Sequence, residues 1–273
     1  MTFFIGAGSL LAGFFGAMTG LGGGVIIVPM LTLVFGIDIR YAAGASLVSI
    51  IATSSGAAAA YVREGYTNIR VAMFLEIATT VGAIAGAFLA ASMHTSTISI
   101  IFGLVLIYSA FLSRHQPPKA TGEEKPDHVA TRLKLDSDYP TPEGSESYRV
   151  RHVPTGFSIM FVAGGLSGLL GIGSGAVKVL AMDRAMRLPF KVSTTTSNFM
   201  IGVTAAASAG AYLHRGFIDP GLAMPVMLGV LAGSWLGAHT LFKTRVGSLR
   251  LVFSLILLVM AIEMIYNGIK GHI

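Results

Sequence analysis

The sequence predicts an all-α integral membrane protein, a polytopic helical bundle built from two inverted repeats. Of its 273 residues, 53% are hydrophobic and 12% are charged, whereas about 25% of the residues of a soluble domain are charged. Several stretches of roughly 18 residues or more carry no charge, which is long enough for a helix to cross a bilayer. A glycine-rich string also occurs twice, so the apolar segments form two similar sets.

The apolar segments fall into two sets of five, separated by a polar interval. The first set lies near residues 3–19, 24–35, 42–62, 70–92 and 96–113, and the second lies near 154–170, 176–185, 193–213, 219–241 and 248–267. The chain therefore divides into a membrane repeat 1–113, a cytoplasmic linker 114–153 and a membrane repeat 154–273. Alternation at 129–135 and 148–153, around turn-forming prolines, predicts a small β-hairpin in the linker that tethers the halves.

The two sets are copies of one unit, related by an offset of 151 residues. The string GLGGG at 20–24 aligns without a gap with GIGSG at 171–175, and the same offset pairs Gly82 with Gly233 and Gly86 with Gly237. Coincidences at one fixed offset, in apolar stretches and loops alike, indicate a duplication. Interrupted hydrophobic segments at corresponding positions of two halves are typical of a transporter's binding site.

The path of each interrupted segment decides the topology. The helical part after each glycine cluster has 10–12 residues, which rise about 15–18 Å, or half a membrane. Lys178 lies inside an apolar segment and is not counted. If each interrupted segment crosses once, the halves are parallel and the other lysines and arginines divide 11 to 7. If it turns back, the halves are inverted and these residues divide 15 to 3. The positive-inside rule favours inverted repeats, each with a glycine-broken helix pair and three transmembrane helices. Both termini are then outside and the linker is cytoplasmic.

Each glycine cluster has a structural and a functional interpretation. A dinucleotide-binding loop is rejected because it requires a strand before the glycines. Small residues also let membrane helices pack closely. Alternatively, each cluster unwinds the chain near the midplane, so that amides at the start of a half-helix bind an anion. The second interpretation predicts substrate-binding residues Gly22, Gly23, Gly24, Val25, Gly173, Ser174, Gly175, Ala176 and Val177.

Side chains in the second half add chemistry to this predicted site. Lys178 begins the second half-helix and its repeat partner is Ile27, so it is either a counter-charge for an anion or acid, or a side chain that snorkels to the interface. Six consecutive hydroxyl or amide residues open the next helix, where capping and helix–helix bonds explain part of the run. We predict Thr196, Ser197 and Asn198 as oxyanion ligands, with Ser46 as the first-half counterpart of Ser197.

Glu76 is an acidic side chain inside an apolar segment, and its repeat partner is Met227. It pairs with a cation or carries a coupling proton, unless it is a carboxylate close to the interface. The chain has no cysteine, which excludes disulfides, thiolate metal sites and cysteine nucleophiles. No catalytic constellation and no metal-ligand motif is present, so we expect no enzyme, no cofactor and no metal.

Both repeats resemble the TauE/SafE sulfite exporter family. The resemblance is carried by GLGGGVIIVPML from Gly20 and by GGLSGLLGIGSGAVKVLAMDRAMRLPFKVSTTTSNFMIGVTA from Gly164. It covers most of the chain and implies membrane transport of sulfite, sulfonates or related small oxyanions. The residues that carry over are the two glycine clusters and 196–198. Ser174 departs from the family pattern, in which a third consecutive glycine is usual.

Together these features predict a secondary transporter of small sulfur-containing anions, which exports sulfite or an organosulfonate by alternating access with a proton as coupling ion. A passive anion channel and a permease for another small oxyanion or a carboxylate are the alternatives. The expected surroundings are the bilayer and an anionic substrate, without nucleic acid, and a homodimer is compatible with the sequence. We place the chain in the plasma membrane of a prokaryote as a multi-pass protein.

Overall fold

A computed structural model describes residues 2–19, 23–114, 127–141, 144–241 and 246–270. Within these residues, the first half of the chain contains five helices. They are α1 (Thr2–Thr19), α2 (Gly24–Pro29, continued by π-helical residues Met30–Val34), α3 (Ile39–Arg63), α4 (Ile69–Ser92) and α5 (Thr95–Arg114). The predicted apolar segments of this half coincide with these helices to within a few residues.

The second half repeats this order after the linker. The linker holds α6 (His128–Arg132), β1 (Ser137–Thr141) and β2 (Gly144–Tyr148). The helices that follow are α7 (Val153–Leu170), α8 (Gly175–Leu180, continued by π-helical residues Ala181–Ala185), α9 (Phe190–His214), α10 (Pro220–Leu241) and α11 (Val246–Lys270). The two π-helical stretches are also 151 residues apart, so the duplication includes this irregularity.

The described part of the chain is helical apart from one small hairpin, and its helices are those of a membrane protein. Three of them are long and apolar enough to cross a bilayer, namely Ile69–Ser92, Val153–Leu170 and the Pro220–Gly237 part of α10. Large apolar side chains such as Phe88, Leu228 and Trp235 are exposed on the outer faces of these helices. A lipid environment accepts such a surface, which is too extensive for a soluble monomer.

The two halves pack against each other where α1 contacts α10 and where α4 contacts α7. Glycines allow the close approach of these helices. A methyl group on Gly233 would lie 1.9 Å from the Leu10 carbonyl oxygen, and one on Gly82 would lie 2.1 Å from the Phe161 oxygen. These two contacts are repeat equivalents. Farther along, Gly237 and Gly86 make the next pair of equivalent contacts, against the Phe14 and Gly165 carbonyl oxygens. Both helix pairs therefore run parallel.

Two further helix pairs each bring together helices that occupy the same position in the two repeats. Along α5 and α11, Gly103 lies near Ala261 whereas Gly268 lies near Ser96, so these two helices are antiparallel. Along α3 and α9, the Ser54 hydroxyl donates to the Asn198 carbonyl oxygen over 2.8 Å. The α3–α4 turn lies against the start of α9, which makes this pair antiparallel as well.

The linker differs from the sequence prediction in where its strands lie. Residues 129–135, predicted as a strand, lie largely in α6 because the Asp127 carboxylate accepts the Val129 and Ala130 amides and caps that helix. The second predicted strand, 148–153, is wrong beyond Tyr148. The antiparallel pairing instead joins β1 to β2, with Tyr139 opposite Glu146.

Candidate functional site

Each half-helix starts from residues in the left-handed region of backbone conformation. Gly23 has φ +66° and its carbonyl oxygen accepts the Ile26 and Ile27 amides at 2.9 and 3.1 Å. In the second break, Gly171 and Gly173 have φ of +68° and +69°, and Ser174 has φ +48°. Left-handed backbone costs an ordinary residue about 1–2 kcal/mol, so the glycines are required by the turn and Ser174 is strained.

The two breaks meet in the centre of the bundle. A methyl group on Gly24 would lie 2.6 Å from the Ser46 hydroxyl oxygen, 2.6 Å from Ile50 Cδ1 and 3.2 Å from the Ile172 Cα atom. A methyl group on Gly173 would lie 3.2 Å from the same Ile50 Cδ1. The structure thus brings Gly24 close to Ile172 in the second break, and Ile50 lies against both Gly24 and Gly173. Gly22 lies outside the described residues.

The start of α9 joins both breaks through buried polar groups. The Ser197 hydroxyl donates to the Gly175 carbonyl oxygen over 3.3 Å, and the Asn198 amide donates to the Ala17 carbonyl oxygen over 3.1 Å, just before the first break. Both side chains are fully buried. Thr196, one residue earlier, accepts the Asn68 amide of the α3–α4 turn at 3.1 Å.

Two hydroxyls beside the breaks have no hydrogen-bond partner in the part of the chain that the structure describes. They belong to Ser46, which is completely buried, and to Ser174, which is 1% exposed. An unpaired buried polar group costs about 1–3 kcal/mol. The backbone amides of Val25, Ala176 and Val177 lie in the first turns of the two half-helices, where an N–H group has no acceptor four residues earlier within the helix. The site therefore offers several hydrogen-bond donors to a small anion.

Lys178 and Glu76 come together, although they are 102 residues apart in the sequence. The Lys178 ammonium donates to the Thr204 hydroxyl over 2.5 Å and lies 3.8 Å from Glu76 Oε2. The Thr204 hydroxyl in turn donates to Glu76 Oε1 over 2.5 Å, and the Thr80 hydroxyl does so over 3.3 Å. Lys178 is completely buried, so the snorkelling interpretation is wrong.

This trio, Lys178–Thr204–Glu76, is a compensated ion pair beside the second half-helix. Burying either charge alone costs several kcal/mol, so each needs the other. Glu76 Oε2 is buried and has no hydrogen-bond partner among the described residues. With Glu76 ionised, the ammonium adds no net positive charge to the site.

Thr204 is the participant that sequence reasoning missed. It lies seven residues after Ser197 on α9, and seven residues return a helix to nearly the same face. Ser197, Thr204 and Ser208 are all fully buried. This buried hydroxyl stripe was the available signal, which the larger polar run at 193–198 obscured.

Interrupted helices that meet inside an apolar bundle, with unpartnered hydroxyls beside them, are typical of a membrane transport protein. The sequence profile of the family described as "Sulfite exporter TauE/SafE" matches residues 5–264. The chain belongs to this family.

The relatives of the chain carry transporter names. It is 28% identical over 268 residues to the "Probable membrane transporter protein YunE" of Bacillus subtilis, covering 95% of this chain and 96% of the relative. It is 26% identical to the "Probable membrane transporter protein MJ0441" of Methanocaldococcus jannaschii, covering 93% and 92%. No solved structure matches the chain significantly. The chain is thus a multi-pass membrane transporter.

Proposed function

We propose that this protein is a secondary transporter of a small sulfur-containing anion, and that it exports sulfite or an organosulfonate. The observation that carries the proposal is the meeting of the two glycine breaks beside the unpartnered hydroxyls of Ser46 and Ser174. Sulfite presents three oxygens that accept hydrogen bonds, and the site presents donors. The sulfur chemistry follows from the family, whose description is that of a sulfite exporter.

Backbone donors supply the main affinity in this proposal. The N-terminal amides of the two half-helices, Gly24–Val34 and 175–185, carry the positive end of each helix dipole. An anion between them accepts from both and needs no bare cation, which suits a site that must also release it. Ser197 and Asn198 hold the two breaks in register and, with the hydroxyls, discriminate among oxyanions.

Alternating access follows from inverted repeats, which the helix directions support. Corresponding helices α3 and α9 are antiparallel, and so are α5 and α11. A second half inverted in the membrane requires this relation, whereas parallel halves would give parallel pairs. The two parallel packings, α1 with α10 and α4 with α7, let one half rock against the other around the meeting point of the breaks.

Charge distribution supports the sidedness that the proposal requires. With inverted halves and with the buried Lys178 left out, 15 lysines and arginines fall on the side of the linker and 3 on the other. The positive-inside rule then assigns residues 114–153 to the cytoplasmic side of a prokaryotic plasma membrane. The inside-negative potential favours outward movement of an anion, by about 2.3 kcal/mol per charge and 100 mV.

The Lys178–Thr204–Glu76 trio is the coupling site in this proposal. Protonation of Glu76 removes the charge that compensates Lys178 and leaves an ammonium beside the second half-helix. That positive charge raises the affinity for an anion, so a proton and an anion bind to the same state and leave together. Because the outgoing proton moves against an inward proton gradient, the outward gradient of the anion and any negative charge left on the pair supply the driving force. Thr204 bonds both partners and keeps them aligned when the proton arrives.

Efflux of sulfite from proteoliposomes tests the proposed function. Gly173→Leu places a side chain where φ is +69° and where Ile50 Cδ1 is 3.2 Å from the new Cβ atom. We expect at least a ten-fold loss of efflux with little change in the amount of folded protein. Gly210→Leu is the matched control, because nothing lies within 4 Å of its added Cβ atom.

Three results would contradict the proposal. Unchanged efflux in Gly173→Leu would remove the breaks from the site. A flux that does not saturate with sulfite would favour the passive anion channel. Saturable transport of a carboxylate in place of sulfite would move the substrate to the alternative permease class.

A further inference from the structure

Two arginines line one pocket at the end of the bundle that lies opposite the linker. Arg40 is in the first turn of α3 and Arg215 directly follows α9, and both contact an enclosed pocket that Tyr212 and Phe217 also line. The linker is bonded to Asn68, beyond the other end of α3. The 25 residues of α3 rise about 37 Å, which places the pocket and the linker on opposite faces of the bundle.

The two guanidinium groups are held in place without a compensating acid. Arg40 Cζ lies 5.7 Å from the Phe217 ring centroid, and Arg215 Cζ lies 5.6 Å from that of Phe88. Arg40 Nη2 also donates to the Met93 carbonyl oxygen over 2.8 Å. Aromatic faces and a carbonyl fix the orientation of a guanidinium but leave its full positive charge in place.

Each guanidinium keeps a buried donor that is not used. Arg40 Nε and Arg215 Nη1 have no hydrogen-bond partner in the part of the chain that the structure describes, and no ion pair joins either residue to a described acid. The neighbouring carboxylates are engaged in their own turns. Asp38 accepts the Arg40 backbone amide and Asp219 accepts the Gly221 amide, each at 2.8 Å. Two cations therefore line one pocket, and each keeps one unused donor.

The shape of this region is a funnel. An open cleft of about 430 Å³, lined by Phe88, Ser92, Arg215 and Phe217 among others, shares Arg215 and Phe217 with the enclosed pocket, whose volume is about 10 Å³. At its narrow end, the Tyr212 hydroxyl donates to the Gly168 and Leu169 carbonyl oxygens, both over 3.2 Å. These carbonyls end α7, directly before the second glycine break.

The duplication shows which part of this arrangement is special. The repeat partners of Arg40 and Phe217 are Lys191 and Tyr66, and Lys191 Nζ lies 5.8 Å from the Tyr66 ring centroid. A cation over an aromatic ring is therefore common to both ends. The repeat partner of Arg215 is Glu64, so the same position carries opposite charge at the two ends. At the end with Arg40 and Arg215, both of these repeat-related positions are therefore cationic.

We propose that Arg40 and Arg215 form a vestibule site for one small oxyanion, which accepts charge-assisted hydrogen bonds from Arg40 Nε and Arg215 Nη1. The anion is recognised as a sulfate-like or phosphate-like group, whether it is free in solution or part of a lipid headgroup. As the first binding step of a transported anion, the vestibule rests on the function proposed above. Binding of the oxyanion itself does not depend on that function.

Protection of arginines from phenylglyoxal tests the vestibule in the intact protein. Purified protein in neutral detergent is modified with and without sulfate, and the modification of each arginine is followed by mass spectrometry. We expect sulfate to slow the modification of Arg40 and Arg215 about ten-fold and to leave the exposed Arg63, at the linker end, unchanged. Equal rates at Arg40 and Arg215 with and without sulfate, and with lipid as below, would overturn the proposal.

A lipid arm separates the two sources of the oxyanion. Protein in nanodiscs of phosphatidylglycerol is modified without sulfate and compared with protein in nanodiscs of phosphatidylcholine. Protection by phosphatidylglycerol alone assigns the site to a headgroup, and protection by sulfate alone assigns it to a soluble anion. Either result supports the vestibule.

Variants connect the protection to the pair of arginines. Arg40→Gln should abolish the protection of Arg215 by either probe, whereas Lys191→Gln, the repeat-related change at the other end, should leave it unchanged. Persistent protection of Arg215 in a folded Arg40→Gln protein would contradict a shared site. Protection without sulfite efflux would refute the proposed function alone, and efflux without protection would refute the vestibule alone.

Discussion

Lys178 and Glu76 have no charged counterparts in the other copy of the repeat, where Ile27 and Met227 occupy the corresponding positions. The ion pair is therefore an addition to the duplicated scaffold and not a condition for its folding. It crosses the interface between the halves, because Glu76 is on α4 and Lys178 is on α8. A change in the charge of Glu76 thus acts directly where the two halves meet.

Removing one member of this pair leaves the other charge buried. We expect Lys178→Met and Glu76→Gln each to lower the stability by about 3–5 kcal/mol, as for other buried pairs that lose one partner. The double variant should recover much of this loss. Thermal unfolding in detergent measures the effect, with Glu263→Gln as the control because Glu263 is exposed. A double variant no more stable than either single variant would contradict the pairing.

Among the elements, the four packed helices α1, α4, α7 and α10 depend on glycine at the points of contact. The repeat matches Gly82 with Gly233 and Gly86 with Gly237, and each of these glycines faces a carbonyl oxygen of the other half. The sequence left open whether the glycine clusters at the breaks serve packing or function. In the structure the glycines of α4 and α10 pack helices, whereas several of those at the breaks have positive φ and turn the backbone.

Alanine at the packing glycines should force the halves apart. A methyl group on Gly86 would lie 2.0 Å from the Gly165 carbonyl oxygen, and one on Gly237 would lie 2.4 Å from that of Phe14. Since backbone atoms cannot move aside singly, we expect each alanine to cost about 1–3 kcal/mol. Gly210→Ala, in open space, serves as the control in thermal unfolding. Equal melting temperatures for all three variants would argue against close packing at these glycines.

The linker is also an element with defined attachments. Asn68 donates to the Leu135 carbonyl oxygen and to the Tyr148 hydroxyl, both over 2.8 Å, and the Arg151 amide donates to the Met186 carbonyl oxygen over 3.0 Å. It therefore binds both the α3–α4 turn and the end of the second half-helix. These attachments exceed what a simple tether between halves needs.

Acid should loosen the linker through Asp127. Burial raises the pKa of this carboxyl, but amide hydrogen bonds from Val153, Val129 and Ala130 outweigh burial and lower the pKa below its ordinary value. The carboxylate therefore stabilises the linker above the unfolded pKa, and this contribution is lost as the pH falls through the folded pKa. We expect faster amide exchange at 127–133 when the pH is lowered through that range, measured by hydrogen–deuterium exchange.

Asp127→Asn should produce the faster exchange already at neutral pH and should remove its acid dependence. Loss of a helix cap costs about 1 kcal/mol. Asp138→Asn changes an exposed acid of the same linker and should leave exchange at 127–133 unaltered. If Asp127→Asn exchanges like the unmodified protein at all pH values, Asp127 does not hold the linker.

At the scale of the whole molecule, the contacts between the two halves are themselves duplicated. Two extensive kinds of packing have repeat-equivalent counterparts, since α1 with α10 corresponds to α7 with α4, and α3 with α10 corresponds to α9 with α4. The corresponding helices α3 with α9 and α5 with α11 are antiparallel. The two arginines and the linker then lie at opposite ends. In the proposed inverted arrangement both ends share one scaffold, so residue differences such as Glu64 against Arg215 would determine how the two sides of the membrane differ.

Labelling of single cysteines tests this topology. The chain has no cysteine of its own, so Ser137→Cys in the linker and Ile269→Cys near the C-terminus can be introduced directly; Ile269 is 72% exposed. We expect an impermeant maleimide to label them from opposite sides of the membrane in intact and inverted vesicles. Labelling of both from the same side would overturn the inverted arrangement.

The sequence by itself determined the class of protein, the helices and the duplication, because apolar length, glycine clusters and a fixed offset are local or periodic signals. It also selected residues 23–25, 173–175 and 197–198 and the two lone charges. Only the tertiary structure decided that Lys178 bonds Thr204 and Glu76, that Thr196 faces Asn68, and that Arg40 and Arg215 line one pocket. These contacts join residues more than 25 positions apart on different helices or turns, and their formation depends on how the halves pack, which no local pattern encodes.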